Sequence, residues 1–181
     1  MADKVKFGVR KVHYALMTTM GTYSTPVAMP GAVSLSLSPS GDLTPFYADD
    51  IRYFVTMANN GYDIDLELAY VPESFLTDIM GMVKDSTSKN IYEKADVQPN
   101  PFALLFEEEG DATGTKFVLY NCVANRPSRN LATKEDAINP QTQSLTIYAS
   151  PLTSGEIFAQ TAADTTTTVL NGWYSSVWKH T

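Results

Sequence analysis

The chain has 181 residues, 44% of them hydrophobic and 18% charged, with a formal net charge of −7. That length and apolar content suit one domain with a real core, spanning 1–181. They exclude a membrane-spanning helix, because no apolar run approaches the roughly 20 residues required. The excess of carboxylates also argues against a nucleic-acid binder, whose affinity rests on cationic contacts to phosphate.

In chain order, residues 5–18 (VKFGVRKVHYALMT) read as a strand region interrupted near Gly8. No uninterrupted apolar core with a small-residue cleavage site follows the N-terminus, so synthesis and folding in the cytoplasm are expected. Residues 19–32 hold Pro26, Pro30 and two glycines and read as loop. Residues 32–38 (AVSLSLS) alternate as a half-buried strand. A turn at Pro39, Ser40, Gly41 and Asp42 predicts a partner strand over residues 43–47.

Residues 51–81 (IRYFVTMANNGYDIDLELAYVPESFLTDIMG) are the most informative stretch. They predict a β-hairpin turning at Asn59, Asn60 and Gly61, because an Asn-Gly step supplies the positive φ of tight turns. On the returning strand Asp63, Asp65 and Glu67 share one face and Ile64, Leu66 and Leu68 the other. A short helix over about 72–81 follows, with Pro72 at its first position and Gly81 as its stop. Its face of Phe75, Leu76, Ile79 and Met80 has to dock on a sheet, since so short a helix is marginal alone.

Residues 82–101 are a polar excursion. Residues 102–107 and 116–124 predict a second hairpin across Gly110 and Gly114, and residues 125–140 a polar loop. Residues 144–149 and 156–161 predict strands. The sum is a mainly β fold: an antiparallel sandwich or barrel flanked by one short helix, with long loops. An open sheet of this kind has edges to manage, and pairing with another subunit is one solution.

Chemistry-bearing residues are sparse. Cys122 is the only cysteine and sits in the apolar run FVLYNCV, so it reads as a core residue; no disulfide or CxxC site is possible. His13 and His180 have no ligand or triad partner at a recognised spacing. No phosphate loop, dinucleotide turn, nucleophile elbow or HExxH pair is present, and no cofactor is expected. Glu107, Glu108 and Glu109 read as a solvated hairpin tip. Trp173, Tyr174 and Trp178 read as core anchors, which would mark an interface if exposed. Asp63, Asp65 and Glu67 read by default as a solvated strand face; a cation site is disfavoured, because calcium loops are turn-rich rather than regular strand.

The segments FGVRKVHYALMT, PGAVSLSLSPSGDLTPFYADD and NNGYDIDLELAYVPESF, in that order, resemble the major tail proteins (tail tube proteins) of siphophages infecting Gram-positive bacteria. The similarity covers most of the first 80 residues and extends loosely to GEIF at 155–158. PFYADD and the Gly-Tyr-acidic alternation running into a helix are its most specific parts; no single motif is diagnostic.

The resemblance implies a β-sandwich or barrel with one helix, joined edge to edge into hexameric rings that stack as a tube. It implies a virion protein without an active site. Its partners would be other copies of itself, a tape-measure protein within, and terminator or distal tail proteins at the ends. DNA would pass without specific binding, and a carboxylate lumen suits that passage because it repels phosphate; Asp63, Asp65 and Glu67 are the candidate lumen residues. Loops 19–32, 39–50 and 82–101 are the candidate bridges between rings. Three alternatives remain at this stage. A tube protein of a contractile or secretion-type system would be separated by neighbouring sheath genes. A carbohydrate- or surface-binding module predicts Trp173 or Trp178 exposed. A hydrolase using Asp63 and Asp65 predicts turnover lost on conversion to Asn.

Overall fold

The computed structural model describes residues 8–110, 114–129, 131–133 and 141–180. The elements are β1 (Gly8–Thr19), β2 (Thr22–Tyr23), β3 (Val27–Ala28), β4 (Ala32–Ser40), β5 (Leu43–Ala48), β6 (Ile51–Met57), β7 (Gly61–Leu68) and α1 (Glu73–Asp78). Then come β8 (Val83–Lys84), β9 (Ile91–Tyr92), β10 (Phe102–Glu109), β11 (Lys116–Ala124), β12 (Ser128–Arg129), β13 (Gln143–Ser150), β14 (Phe158–Gln160) and α2 (Thr167–Gly172). The fold is mainly β, as the alternating runs predict.

One ten-stranded sheet runs in the order β2-β1-β10-β11-β13-β7-β4, with β3, β12 and β14 added beside it. All its pairings are antiparallel. The sheet curls until β4 comes near β1, yet the two share no ladder.

Side-chain parity divides the core in two. Phe102, Leu104 and Phe106 of β10 face a first cluster with Ile64, Leu66, Leu145 and Ile147. Ala103 and Leu105 face a second, with Val118, Leu152 and Trp173, beneath the C-terminal segment. A strand buried on both faces has no polar side to show, which is why Phe102–Glu109 begins as an unbroken apolar run. A register shift opposite Phe102 and Leu104 changes the parity of β11, so Leu119 and Cys122 both reach the first core. Helix α1 and the two residues after it cap that core with Phe75, Leu76, Ile79 and Met80. The Tyr14 hydroxyl ties it to β1 by donating to Asp78 at 2.9 Å. Burial pushes that hydroxyl up to about 12.

Several expectations need correction. The helix is shorter than 72–81, and Pro72 precedes it in an extended conformation, φ −59° and ψ 145°, rather than occupying its first turn. Gly81 does stop it, at φ +68°, with the Met82 amide donating back to Leu76. A second helix, α2, was not expected. The irregularity in β1 falls at Lys11, at φ +51°, where the register shifts between Arg10 and His13, and not at Gly8; residues 5–7 lie outside the described residues.

The largest correction concerns residues 32–68. Both predicted local hairpins, β4 with β5 and β6 with β7, are absent. Instead β4 pairs with β7 and β5 pairs with β6, nested as one long ribbon. The tight turn is Asp49 and Asp50, both left-handed at φ +50° and +60°, between the paired residues Ala48 and Ile51. The Pro39-to-Asp42 and Ala58-to-Gly61 segments face each other at a neck. There Asn60 donates to the Ser40 carbonyl at 2.9 Å and Ala58 to that of Asp42 at 3.1 Å. Gly61, at φ +113°, serves the neck and not a turn; a Cβ on it would lie 1.8 Å from the Ala149 oxygen.

Candidate functional site

Beyond the neck, β5 and β6 form a two-stranded sheet paired with nothing else. Such a ribbon is at best marginally stable alone. Its composition is that of a core: Leu43, Phe46, Tyr47, Ile51, Tyr53, Phe54, Val55 and Met57 are all exposed, at 38% to 71%. The pairs Leu43–Met57 and Pro45–Val55 alternate with Thr44–Thr56 and Phe46–Phe54, so both faces of the ribbon carry large apolar groups. Burying each such side chain is worth about 1.5–3 kcal/mol. A contiguous patch of this kind marks an interaction surface. The sequence contained the signal, five large apolar residues within 51–57 that include the consecutive Tyr53, Phe54 and Val55, but the local pairing expected there hid it.

The ribbon grows from an exposed edge. Strand β4 is bonded to β7 on one side only, and Ala32–Ser40 holds no charged residue. Natural edges are normally blunted by charge, bulge or proline; here the only such device within the strand beyond its irregular start is Pro39, next to the neck.

The acidic stripe lies where alternation places it, on the outer face of β7. Ile64, Leu66 and Leu68 are fully buried beneath, Asp63 and Asp65 are exposed and Glu67 is half-buried. Hydroxyls flank it on both sides: Ser34, Ser36 and Ser38 of β4, and Ser144 and Thr146 of β13. Glu67 accepts from Ser34 at 3.0 Å and from Thr142, and these bonds hold its carboxyl below the usual range. Asp65 accepts from Thr146 at 3.1 Å. None of the facing residues on these three strands is a cation. The result is an open, hydroxylated, anionic face.

Glu107 is not at a solvated tip. It is 2% exposed and receives Arg10, through Nε at 3.1 Å, and Lys11 at 3.1 Å. Tyr174 of the C-terminal segment also donates to it, at 3.3 Å. Burial alone would raise its pKa, but the bonds from both cations outweigh burial and hold it low. Burial and the neighbouring Glu107 push the Tyr174 hydroxyl well up. Glu109, by contrast, is exposed. The cluster fastens the C-terminal segment to β1 and β10.

Cys122 is fully buried, and burial pushes its thiol up to about 12. Ring-nitrogen Nδ1 of His13 lies 2.7 Å from the Lys11 carbonyl oxygen, and the imidazole stacks on Tyr174 at 4.4 Å. His180 is exposed near the C-terminus. Trp173 is 2% exposed, donates to the Phe117 carbonyl and stacks on half-buried Trp178. Asp63 and Asp65 occupy an open sheet face, and no group of three or more potential metal ligands occurs among the described residues.

No protein-family model matches the chain, and no curated protein does. Among solved structures, a chain of the anti-feeding prophage baseplate, 6-fold symmetrised, superposes with a TM-score of 0.54 at 9% identity. The match covers 91% of this chain and 99% of that one. A chain of the same prophage's tube-terminating cap gives a weaker likeness, with a TM-score of 0.49 at 11% identity over 89% and 95% of the two chains. The first likeness shows a shared fold across nearly the whole length of both chains.

Proposed function

We propose that this chain is a structural subunit of a phage tail, self-assembling into the stacked rings of a tail tube, with no catalytic role. The observation that carries this reading is the β5–β6 arm, core-like in composition and exposed on both faces, on a body that already has two buried clusters of its own. A surface of that kind has a purpose only when covered. The unprotected edge of β4 beside it offers backbone groups for sheet extension. An arm and an edge belonging to one chain make a head-to-tail contact, which closes into rings or continues as a filament. The shared fold with a chain of a 6-fold symmetrised baseplate supports the reading, as does the tail-tube resemblance of the N-terminal segments. Six subunits per ring, a virion location, a tape-measure protein within and terminator or distal tail proteins at the ends follow from that resemblance.

In this reading the face carrying Asp63, Asp65 and Glu67 lines the lumen, where anionic and hydroxyl groups let DNA slide without adhering. The binding-module alternative asks for Trp173 or Trp178 on a surface; Trp173 is enclosed, and half-buried Trp178 is stacked on it.

Electron microscopy and solution mass of the purified chain, alone and co-produced with neighbouring tail proteins, test the assembly. Rings or hollow tubes are expected; a strict monomer under both conditions overturns the proposal. Lumen placement is tested by converting Asp63, Asp65 and Glu67 together to Lys. Rings should still form and now retain DNA with a steep salt dependence. Rings that ignore DNA as the parent does would move the lumen to another face.

A further inference from the structure

The C-terminal segment is attached differently from the strands it covers. Main-chain pairing with the sheet ends at Thr161, whose amide donates to the Lys116 carbonyl at 2.9 Å while its hydroxyl accepts from the Lys116 amide at 2.9 Å. Beyond that point, among the described residues, main-chain bonds stay within the segment: Thr165 to Ala162, Leu170 to Thr166, and Ser175 and Ser176 to Gly172. Side chains make the ties to the body. Lys116 donates to the Leu170 carbonyl at 3.0 Å, Trp173 to that of Phe117 at 3.4 Å, and Tyr174 to Glu107 at 3.3 Å. The Lys179 ammonium sits 5.7 Å from the centre of the Tyr23 ring. Trp173 is the one buried residue from 162 to 180, and α2 has neither a buried residue nor a side-chain cap. A helix of six residues does not sustain itself. Beneath lie Ala15 and Met17 of β1, Ala103 and Leu105 of β10, and Val118 and Tyr120 of β11, on strands whose ladders do not involve residues 162–180.

We infer that residues 162–180 form a strap that opens as one unit about Ala162, baring the apolar outer face of β1, β10 and β11 while the sheet and the first core stay folded. The inference stands apart from the self-assembly reading. Opening breaks no ladder bond, and the first core lies on the opposite face of β10. Segments with few buried contacts and few main-chain bonds to their surroundings open below the free energy of global unfolding. The parts of the strap move together because Trp173 joins them. It follows α2 directly, precedes Tyr174 and stacks on Trp178 at 6.2 Å. The closed strap hides an apolar face and the open strap presents it, so a conformational equilibrium sets the availability of that surface.

Two measurements test the strap. The chain has two tryptophans, Trp173 and Trp178, and both lie in it. In the unassembled parent chain, tryptophan fluorescence therefore follows the strap, and far-UV circular dichroism follows the sheet. The fluorescence transition is expected at lower denaturant than the dichroism transition; coincident curves overturn the inference. The second measurement uses Val118→Cys, which places a thiol under the strap, with Cys122 in the first core as an internal reference; both positions are fully buried. Each thiol's labelling rate in native buffer is divided by its rate in the unfolded chain. The thiol at 118 should be labelled roughly tenfold or more faster than Cys122. Equal normalised rates would mean that the segment leaves only when the whole body unfolds, and would overturn the inference.

Discussion

Strands β6 and β10 both carry consecutive apolar residues, Tyr53, Phe54 and Val55 in the one and the run FALLF in the other, and meet opposite fates. All seven residues of β6 are exposed, whereas the first six of β10 are buried. The difference lies in what each strand has on its two faces. The β10 strand lies between two clusters supplied by the same chain, one inside the curled sheet and one under the C-terminal segment. The β6 strand has only β5 at its side. Consecutive apolar residues signal burial on both faces in either case; what varies is whether the cover belongs to the same molecule.

The contrast predicts that damage to the two strands' surroundings will register in different measurements. The largest effect is expected from Phe46→Ser with Phe54→Ser. Assembly should be lost outright, seen as the absence of rings or tubes by electron microscopy. The stability of the monomer should stay within about 0.5 kcal/mol, because neither side chain packs in the body. A comparable loss of monomer stability would erase the distinction between arm and body.

Trp173→Ala works the other way. Removing this enclosed side chain should cost about 3–5 kcal/mol. That corresponds to a fall in melting temperature of about 6–20 °C for a chain of this size. A smaller loss would show that the second core is merely an appendage.

Glu107→Gln should cost about 1.5–3 kcal/mol near neutral pH, the scale of hydrogen bonds to a charged group. It also has a pH signature. The folded carboxyl is held below its ordinary value of 4.5, so its contribution is present above 4.5 and is lost as pH falls through the lower, folded value. Thermal melts between pH 7 and 3 should therefore converge for the parent and the variant at the acid end. Parallel curves would mean that the ion cluster does not fasten the C-terminal segment.

Much of the body could be read from local pattern. The hairpin of β10 and β11 follows from two apolar runs around Gly110 and Gly114, although residues 111–113 lie outside the described residues. The alternation of β7 gave its buried and acidic faces, and Gly81 its helix stop. The failures share one cause, distance along the chain. Nested pairing sets β4 against β7 across an intervening ribbon, while Gly41 and the Asn-Gly step mimic turns. The true turn, Asp49 and Asp50, lacks the glycine that signals one. Glu107 looked solvated in a run of three glutamates, because its cationic partners lie 96 and 97 residues away. Helix α2 arises in a threonine-rich segment of weak helix propensity. It is held from outside, by Lys116 donating to the Leu170 carbonyl and by Trp173 just after it.

The neck has one further consequence. Gly41 and Gly61 both adopt positive φ there, and a Cβ on either would strike a backbone oxygen, that of Ala58 at 1.9 Å or of Ala149 at 1.8 Å. The crossing is therefore a close backbone approach, with main-chain bonds running across the ribbon from Asn60 to Ser40 and from Ala58 to Asp42. Substitutions on the two sides should then be energetically independent. A double-mutant cycle between Phe54 and Trp173, read by monomer unfolding, should close to within about 0.5 kcal/mol. The ribbon can thus change its contacts with little effect on the fold that carries it.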